Sequence, residues 1–595
     1  MDNLTMARLL EQTADLLEID GADSFRIRSY RRAAEAVEQT TVDLVAACED
    51  TARLLEIPGI GKSMAANLKA MAGTGTMPLR DELLAKYGSS ILELMKLPSM
   101  GPKTVALFWS AAQINSIDLL SAAIEAGKLA DLPRMGQKQL DKIRKGIEDY
   151  RRSSGRFRID QAQHAAEQLT AYLLAFPGPP AAGIDRVTPA GSLRRGRETA
   201  GDLDLLVTGP ACEPGLTAAA VDYVAAWPGV SDLIVKGENK VSFHLGTGMQ
   251  VDVRLLPTAS YGAALQYFTG SKNHNVTLRQ RALKMGYTLS EWALARLDDE
   301  SVVVAAATEE EIYAALGLDW IPPELRESLG EIDAAAAHTL PQLIEERHLR
   351  GDLHMHTHET DGHNSIREMA EAALAVGYSY IAITDHSKAL AMTNGLDERR
   401  ALEHIARIRE VDREMEGRIR IFTGIEVDIL ADGALDLDDE VLAQMDIVIA
   451  SVHSRFDQSR EETTARVLRA IENPCVRILG HPTGRLILRR EPIALDMPTV
   501  LRRAAELGVA MEHNAAPERL DLCDRDLRLA KELGCRIVIN TDAHDTRTLG
   551  KMTYGIRQLR RAWLEPRDVL NTLGPDELLA SLRQRPNAVS AAPVS

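Results

Sequence analysis

Beyond residue 350 the sequence repeats one unit seven times: a short apolar, β-rich run, a polar residue of metal-ligand type at its C-terminal end, then a stretch with helical spacing. The runs end in Asp352-Leu353-His354-Met355-His356, Ile383-Thr384-Asp385-His386, Gly424-Ile425-Glu426, Ala450-Ser451-Val452-His453, Leu479-Gly480-His481, Met511-Glu512-His513-Asn514 and Thr541-Asp542-Ala543-His544. Strands alternating with helices predict a parallel sheet, here closed as a barrel. Side chains at the C-terminal ends of barrel strands meet in one mouth, so residues from His354 to His544 should converge. Mixed imidazole and carboxylate donors suit Mn²⁺, Zn²⁺ or Fe²⁺ better than Mg²⁺ alone.

A different chemistry is written in Gly191-Ser192-Leu193-Arg194-Arg195-Gly196-Arg197-Glu198-Thr199-Ala200-Gly201-Asp202-Leu203-Asp204-Leu205-Leu206-Val207. Residues i and i+2 of a strand share a face, so Asp202 and Asp204 project together, roughly 6–7 Å apart at the backbone. Leu203 and Leu205 point the other way, into a core. Val251-Asp252-Val253-Arg254 alternates in the same sense and offers a third carboxylate, Asp252. Three converging carboxylates can hold a pair of divalent ions, which clamp both oxygens of a phosphoryl transfer. Gly191 and Ser192 offer backbone N–H groups and a hydroxyl, while Arg194, Arg195 and Arg197 offer charge to a triphosphate.

The whole stretch resembles the nucleotidyltransferase palm of family X DNA polymerases. By that resemblance Asp202, Asp204 and Asp252 hold two Mg²⁺ or Mn²⁺ ions, and Asp252 is best placed to help deprotonate a primer 3′-OH. Gly191, Ser192, Arg195 and Gly201 would contact the nucleotide. Downstream, Tyr267-Phe268-Thr269-Gly270 resembles the thumb segment that lines the incoming nucleotide in that family. Tyr267, Phe268 and Gly270 would then lie near the sugar, Asn275 near the base or minor groove and Arg279 on the template side, with His274 possible as a plain exposed residue.

Upstream, residues 1–155 have helical spacing broken by Pro58-Gly59-Ile60-Gly61, by Pro98-Ser99-Met100-Gly101-Pro102-Lys103 and, more loosely, by Pro133-Arg134-Met135-Gly136. Such hairpins expose backbone N–H groups at the start of the next helix, which favours an anion such as a DNA phosphate, although the same turn also serves in plain bundles. They resemble helix-hairpin-helix elements, with Gly59, Gly61, Gly101 and Lys103 on the DNA backbone. Ser24 to Ala34 resembles the family's basic helix near a gap 5′-phosphate. Where lyase-competent members carry a Schiff-base lysine this chain has Asn67, and an amide forms no imine.

The barrel segment resembles the PHP (polymerase and histidinol phosphatase) family at His354, His356, Asp361, His386, Glu426, His453, His481, Asp542 and His544, which implies two or three Mn²⁺ or Zn²⁺ ions. His358, His363, His404 and His513 fall outside that set, and Arg485 is either a phosphate ligand or a surface residue.

At 595 residues the chain is too long for one core. A net charge of −17 argues against a simple nucleic-acid binder, but residues 51–200 carry 21 Lys/Arg against 14 Asp/Glu, so the front half can still grip phosphate. No membrane span or secretory signal is visible, and five cysteines without metal or disulfide spacing suit a reducing cytoplasm.

The expected architecture is all-α helix-hairpin-helix domains, an α/β nucleotidyltransferase palm and thumb, and a C-terminal distorted (β/α)₇ PHP barrel. Its expected parts are an N-terminal helical domain (1–85), fingers (86–155), palm (156–257), thumb (258–320), linker (321–348) and PHP domain (349–580). The resemblance as a whole is to bacterial family X DNA polymerases with a C-terminal PHP domain. It implies a monomeric, cytoplasmic repair enzyme acting on gapped or nicked DNA with deoxynucleoside triphosphates, and a metal-dependent nuclease that trims 3′ ends or abasic sites. The competing reading keeps only the PHP phosphoesterase, on a non-catalytic DNA-binding platform.

Overall fold

The computed structural model describes residues 3–584 except 40–43, 49, 56, 58, 96, 98–99, 130–131, 134, 154 and 178–181; Pro58, Pro98, Ser99 and Arg134 of the hairpin motifs lie outside the described residues. The chain divides into two compact units, Met1–Gly155 and Arg156–Ser595.

The first unit is helical. Helices Lys62–Thr74 and Pro102–Ala112 start directly after Gly61 and Gly101, each in extended backbone, and helix Gln137–Ser153 follows Gly136. Leu54, Ile60, Leu68, Leu94, Met100, Val105 and Phe108 fill the core behind the hairpins. That burial leaves Gly59, Gly61, Gly101 and Lys103 on the surface. Asn67 is half-buried and donates its amide N–H to the Tyr30 hydroxyl at 3.0 Å.

The second unit opens with a five-stranded mixed sheet: β1 (Arg186–Pro189), β2 (Asp202–Thr208), β3 (Val230–Lys236), β4 (Lys240–Leu245) and β5 (Gln250–Leu256), in the order β1-β2-β5-β4-β3. Leu203, Leu205, Val251, Val253 and Leu255 pack with Ala162, Ala166 and Leu169 of helix Ile159–Leu174. Alternation then presents Asp202, Asp204 and Asp252 on the opposite face.

Helices Tyr261–Thr269 and Lys272–Lys284 lead into a three-stranded antiparallel sheet spanning Tyr287–Leu289, Leu294–Arg296 and Val303–Ala305. The stretch 321–348 differs from the expected spacer. Ile321, Leu325, Ile332, Ala335 and Leu343 complete this thumb core together with Leu278, Ile312 and Tyr313. Its acidity is absorbed internally: Glu324 pairs with Arg560 at 2.7 Å, Glu327 with Arg195 at 3.0 Å and Glu331 with His274 at 2.7 Å. His274 is accordingly fully buried, a correction to its reading as an exposed residue, and its other ring nitrogen meets the Tyr313 hydroxyl at 2.9 Å.

The rest of the chain forms seven parallel strands in sequence order: β6 (Gly351–Asp352), β7 (Tyr380–Ile383), β8 (Arg420–Asp428), β9 (Ile447–Ser451), β10 (Ile478–Leu479), β11 (Ala510–Asn514) and β12 (Ile537–Asn540). The first and last approach through a parallel bridge between Met355 and Ala543, and through the Thr541 hydroxyl and N–H on Asp352. The barrel is therefore nearly closed. Leu353, Tyr380, Ala382, Phe422, Ile449 and Val538 belong to one core cluster within it.

One buried ion network holds the thumb to the palm. Arg326 is fully buried and forks onto Glu309 at 2.6 and 3.1 Å, while Arg194 reaches the same carboxylate with two 2.8 Å bonds. Burial alone would raise the Glu309 pKa; the two guanidinium groups overcome it and hold the group ionised. Glu309→Gln leaves the buried Arg326 and the half-buried Arg194 undercompensated, and a loss of about 3 kcal/mol is expected. A fall in the thermal unfolding midpoint of several degrees measures it.

Two candidate catalytic centres

The palm centre is set by strand register. β2 and β5 run parallel with Asp204 directly opposite Asp252, and Asp202 opposite Gln250. Burial, then the charges of Asp202 and Asp252, push the Asp204 carboxyl up to about 7. Asp252 behaves oppositely. Burial again works to raise its pKa, but Lys240 at 2.7 Å and a hydrogen bond from Ser242 hold it below the ordinary range. Asp252 thus holds a proton less readily than Asp204. Lys240, the residue responsible, sits on β4 where no motif marked it.

Gly191 has φ +57, and a Cβ there would stand 2.7 Å from an Asp204 carboxylate oxygen, so only glycine lets the loop close over the acid pair. A cleft of about 720 Å³ opens in front of the carboxylates. It is lined by Gly191, Ser192, Arg195, Gly201, Asp202, Asp204, Tyr267, Phe268, Gly270, Asn275 and Arg279, together with Arg156, Arg197, Lys272, Val276 and Glu327. The Ser192 hydroxyl is buried and has no protein partner among the described residues, as befits a group facing a ligand. Tyr267 and Phe268 meet edge to face at 5.0 Å, with Arg279 over the Tyr267 ring and Arg254 over the Phe268 ring.

Three polar side chains are more committed than expected. Arg194 is spent on Glu309 and Thr269 and offers nothing to a triphosphate, a correction explained by the buried acid it neutralises. Arg195 lines the cleft, yet its guanidinium already bonds Glu327 and the Thr269 carbonyl. The Asn275 amide donates to the Tyr267 carbonyl and accepts from Gln266, so it braces the aromatic pair rather than presenting a free amide.

The palm loop is also held from outside the palm. Helix Met552–Arg561, which follows the last barrel strand, donates Gln558 Nε2 to the Gly196 carbonyl at 2.7 Å and Arg561 to the Arg195 carbonyl and Glu327, both at 2.9 Å. Arg485 is neither surface nor a free phosphate ligand: it is mostly buried and pairs with Glu198 of the same loop at 2.7 Å.

The second centre occupies the mouth of the barrel. His354 and His356 follow β6, His386 follows β7, Glu426 lies in β8, and His453, His481, Asp542 and His544 follow β9, β10 and β12. Donor atoms of His356, Asp361, His386 and His544 form one compact group; His354, His356 and Asp542 form another; His386, Glu426 and His453 form a third, each within 4.8 Å. His481 joins through Nε2 at 2.9 Å from Glu426. All nine positions converge. His404 and His513 stay apart: His404 pairs with Asp385, and His513 points off the other side of β11 to the Leu522 carbonyl.

The fit to divalent ions rests on unspent atoms. His354 Nε2, His356 Nδ1 and His481 Nδ1 are buried without hydrogen-bond partners among the described residues, and His386 Nδ1 meets a Glu426 oxygen at 2.9 Å. Electrostatics agree. Burial opposes a charged His354, but Glu512, Glu426 and Asp542 lift its pKa well above the usual value, and burial opposed by Glu426 and Asp428 takes His453 to about 10. His356, buried and flanked by His386 and His544, falls to about 4. Two supporting acids went unread in the sequence. Glu512 binds His354 Nδ1 at 2.8 Å and the His481 N–H at 2.7 Å, and Asp428 binds His453 Nδ1 at 2.9 Å. Both lie on strands with the alternation that turns them inward, which was the available signal.

A nucleotidyltransferase-like acid trio facing a thumb, and a histidine-rich centre in a seven-stranded barrel, define a polymerase joined to a metal-dependent phosphoesterase. Family patterns agree: DNA polymerase beta thumb over residues 264–327, helix-hairpin-helix domain over 1–77, SAM-like helix-hairpin-helix tandem over 91–149 and PHP domain over 352–506. The chain is 36% identical over 586 residues to the DNA polymerase/3′-5′ exonuclease PolX of Bacillus subtilis, covering 98% of this chain and all of that protein. It is 32% identical over 237 residues to a probable phosphatase of Caldanaerobacter subterraneus, and 30% over 233 residues to one of Thermoanaerobacter, covering 38% and 37% of this chain and 88% and 89% of those proteins. The chain belongs to the family of PHP-bearing family X DNA polymerases, the PolX polymerase/exonucleases. No helix among the described residues is long and apolar enough to cross a membrane.

Two outcomes follow. An Asp204 carboxyl raised from 3.8 to about 7 binds its proton more tightly in the folded chain, so the metal-free fold loses stability as pH rises across that window. In EDTA at pH 8, Asp204→Asn therefore raises the unfolding midpoint. In the barrel, Glu512→Gln weakens the grip on His354 and lowers Mn²⁺ affinity about 10–100-fold, measured by titration calorimetry.

Proposed function

We propose that this chain fills short gaps in DNA by two-metal nucleotidyl transfer in the palm, and trims the same ends with a metal-dependent 3′-5′ nuclease in the barrel. The observation that carries the reading is the Asp202 and Asp204 pair lining a cleft that also presents Ser192, Tyr267 and Phe268, with Asp252 in register opposite Asp204 on the neighbouring strand.

Asp202, Asp204 and Asp252 would hold Mg²⁺ or Mn²⁺, which supply Lewis acidity to the attacking and leaving oxygens. Gly191 and Ser192 bring backbone N–H groups and a hydroxyl to the triphosphate, and Arg197 and Lys272 add charge from the cleft wall. Tyr267 and Phe268 present an aromatic surface to the sugar. Gly59, Gly61, Gly101 and Lys103 grip duplex backbone without reading sequence. Arg279, stacked on Tyr267, faces the same cleft from the thumb.

The barrel donors would hold two or three Mn²⁺ or Zn²⁺ ions, consistent with three overlapping groups that share His356 and His386. Glu512 and Asp428 fix the rings of His354 and His453, so the donors reach a phosphodiester without reorganising. The chain works as a cytoplasmic monomer on gapped or nicked DNA and deoxynucleoside triphosphates. With Asn67 hydrogen-bonded to Tyr30, no 5′-deoxyribose-phosphate lyase accompanies these activities.

Single-turnover assays on a gapped primer separate the centres. Asp204→Ala should lower nucleotide addition at least 1000-fold, on the order expected for losing a metal ligand, and leave 3′-end degradation within twofold. His354→Ala should do the reverse. A wild-type chain that never extends a gapped primer with Mg²⁺ or Mn²⁺ would leave only the phosphoesterase.

A further inference from the structure

A second cleft, about 680 Å³, separates the palm loop from the barrel. Arg156 and Arg197 line both this cleft and the palm cleft, so the two adjoin at those side chains. The far wall reaches Thr483, two residues beyond His481 of the metal centre. Beside that end, Arg519 Nε stands 3.6 Å from Asp542.

The cationic residues here are of two kinds. Arg485, Arg525 and Arg561 are neutralised by Glu198, Asp526 and the Glu327–Asp524 pair, and serve as struts. Arg156 and Arg490 have no carboxylate partner among the described residues. Arg156 holds only Thr199, by its hydroxyl at 2.7 Å and its carbonyl at 2.8 Å. Arg490 holds only the Gly484 carbonyl at 2.9 Å and lies over the Phe456 ring at 4.1 Å. Burial and the charge of Arg519 act against the Arg490 charge, and the Asp521 carboxylate acts for it. Arg197 is half exposed and only 3.9 Å at closest from Glu327. Opposing them, Glu491 is exposed in the wall, while the buried Asp521 acid binds the Thr483 N–H.

Cations at intervals, with an arginine stacked on an aromatic ring, are the elements that hold single-stranded nucleic acid, through phosphate contacts and base stacking. The volume is in the range of sites that enclose small ligands. We propose that this cleft is the passage along which an unpaired DNA 3′ end runs from the polymerase cleft to the barrel's metal centre, with Arg156, Arg197 and Arg490 on its phosphates and Phe456 beside a base. The inference rests on the function proposed above.

Arg490→Glu tests it, because Arg490 touches neither centre. For 3′-5′ degradation of a single-stranded oligonucleotide, KM should rise at least tenfold with kcat little changed, and Arg490→Lys should recover most of the loss. The slope of log KM against log salt should flatten by about 0.7, the loss of one phosphate contact on a single strand. Hydrolysis of thymidine 5′-(p-nitrophenyl phosphate), which enters the metal centre without a strand, and single-nucleotide gap filling should both stay within twofold. A 4-thiothymidine placed two nucleotides from an unpaired 3′ end should crosslink within residues 484–493. Equal loss with oligonucleotide and small ester, or no change with the oligonucleotide, overturns the passage. A wild-type chain that cleaves the ester but no DNA end overturns the reading beneath it.

Discussion

Parallel pairing of β2 with β5 sets Asp252 beside Asp204, two residues from Asp202, on a buried face, and the energetics of the palm follow from that burial. Asp204 is driven to about 7 because burial opposes its charge first, then Asp202 on the same strand, then Asp252 across the pairing. A divalent cation is the economical remedy, since it neutralises both acids without moving either strand. Lys240 offers a partial substitute by pairing with Asp252. The loop geometry is subordinate to the same constraint: Gly191 holds φ +57, and a Cβ there would crowd an Asp204 oxygen at 2.7 Å.

The barrel meets a related difficulty by dividing charges differently. Its imidazoles differ strongly in proton affinity according to their neighbours: burial and the rings of His386 and His544 take His356 to about 4, while Glu426 and Asp428 overcome burial and take His453 to about 10, although both lie in one mouth. Glu512 and Asp428 hold outer ring nitrogens, which fixes the inner ones toward the centre. Nearly closed strands give these contacts their rigidity, since each donor hangs from a different strand end.

Much of this was legible because it depends on short-range periodicity. Period-two alternation put Asp202 and Asp204 on one face, and the repeat of apolar run and strand-end ligand announced the barrel with its nine donors. What escaped depended on partners far away in sequence. That Arg194 is consumed by Glu309, or that Arg485 answers Glu198, cannot be seen from either residue's neighbourhood. The acidic stretch 321–348 read as a spacer because its neutralising arginines and histidine lie elsewhere in the chain. Glu512 was visible on an inward-facing strand position, but histidine motifs drew attention past it. Lys240 had no local signal at all.

Helix Met552–Arg561 bonds the carbonyls of Arg195 and Gly196, and Gly196 lacks a side chain where Arg557 passes at 3.1 Å. The loop that frames the palm cleft is therefore finished by residues some 360 positions further along the chain. A fragment stopping before the barrel would keep every palm carboxylate yet lose the tether on that loop. The two halves are thus not freely interchangeable modules, and a change on the nuclease side of that seam is inherited as a change in the polymerase.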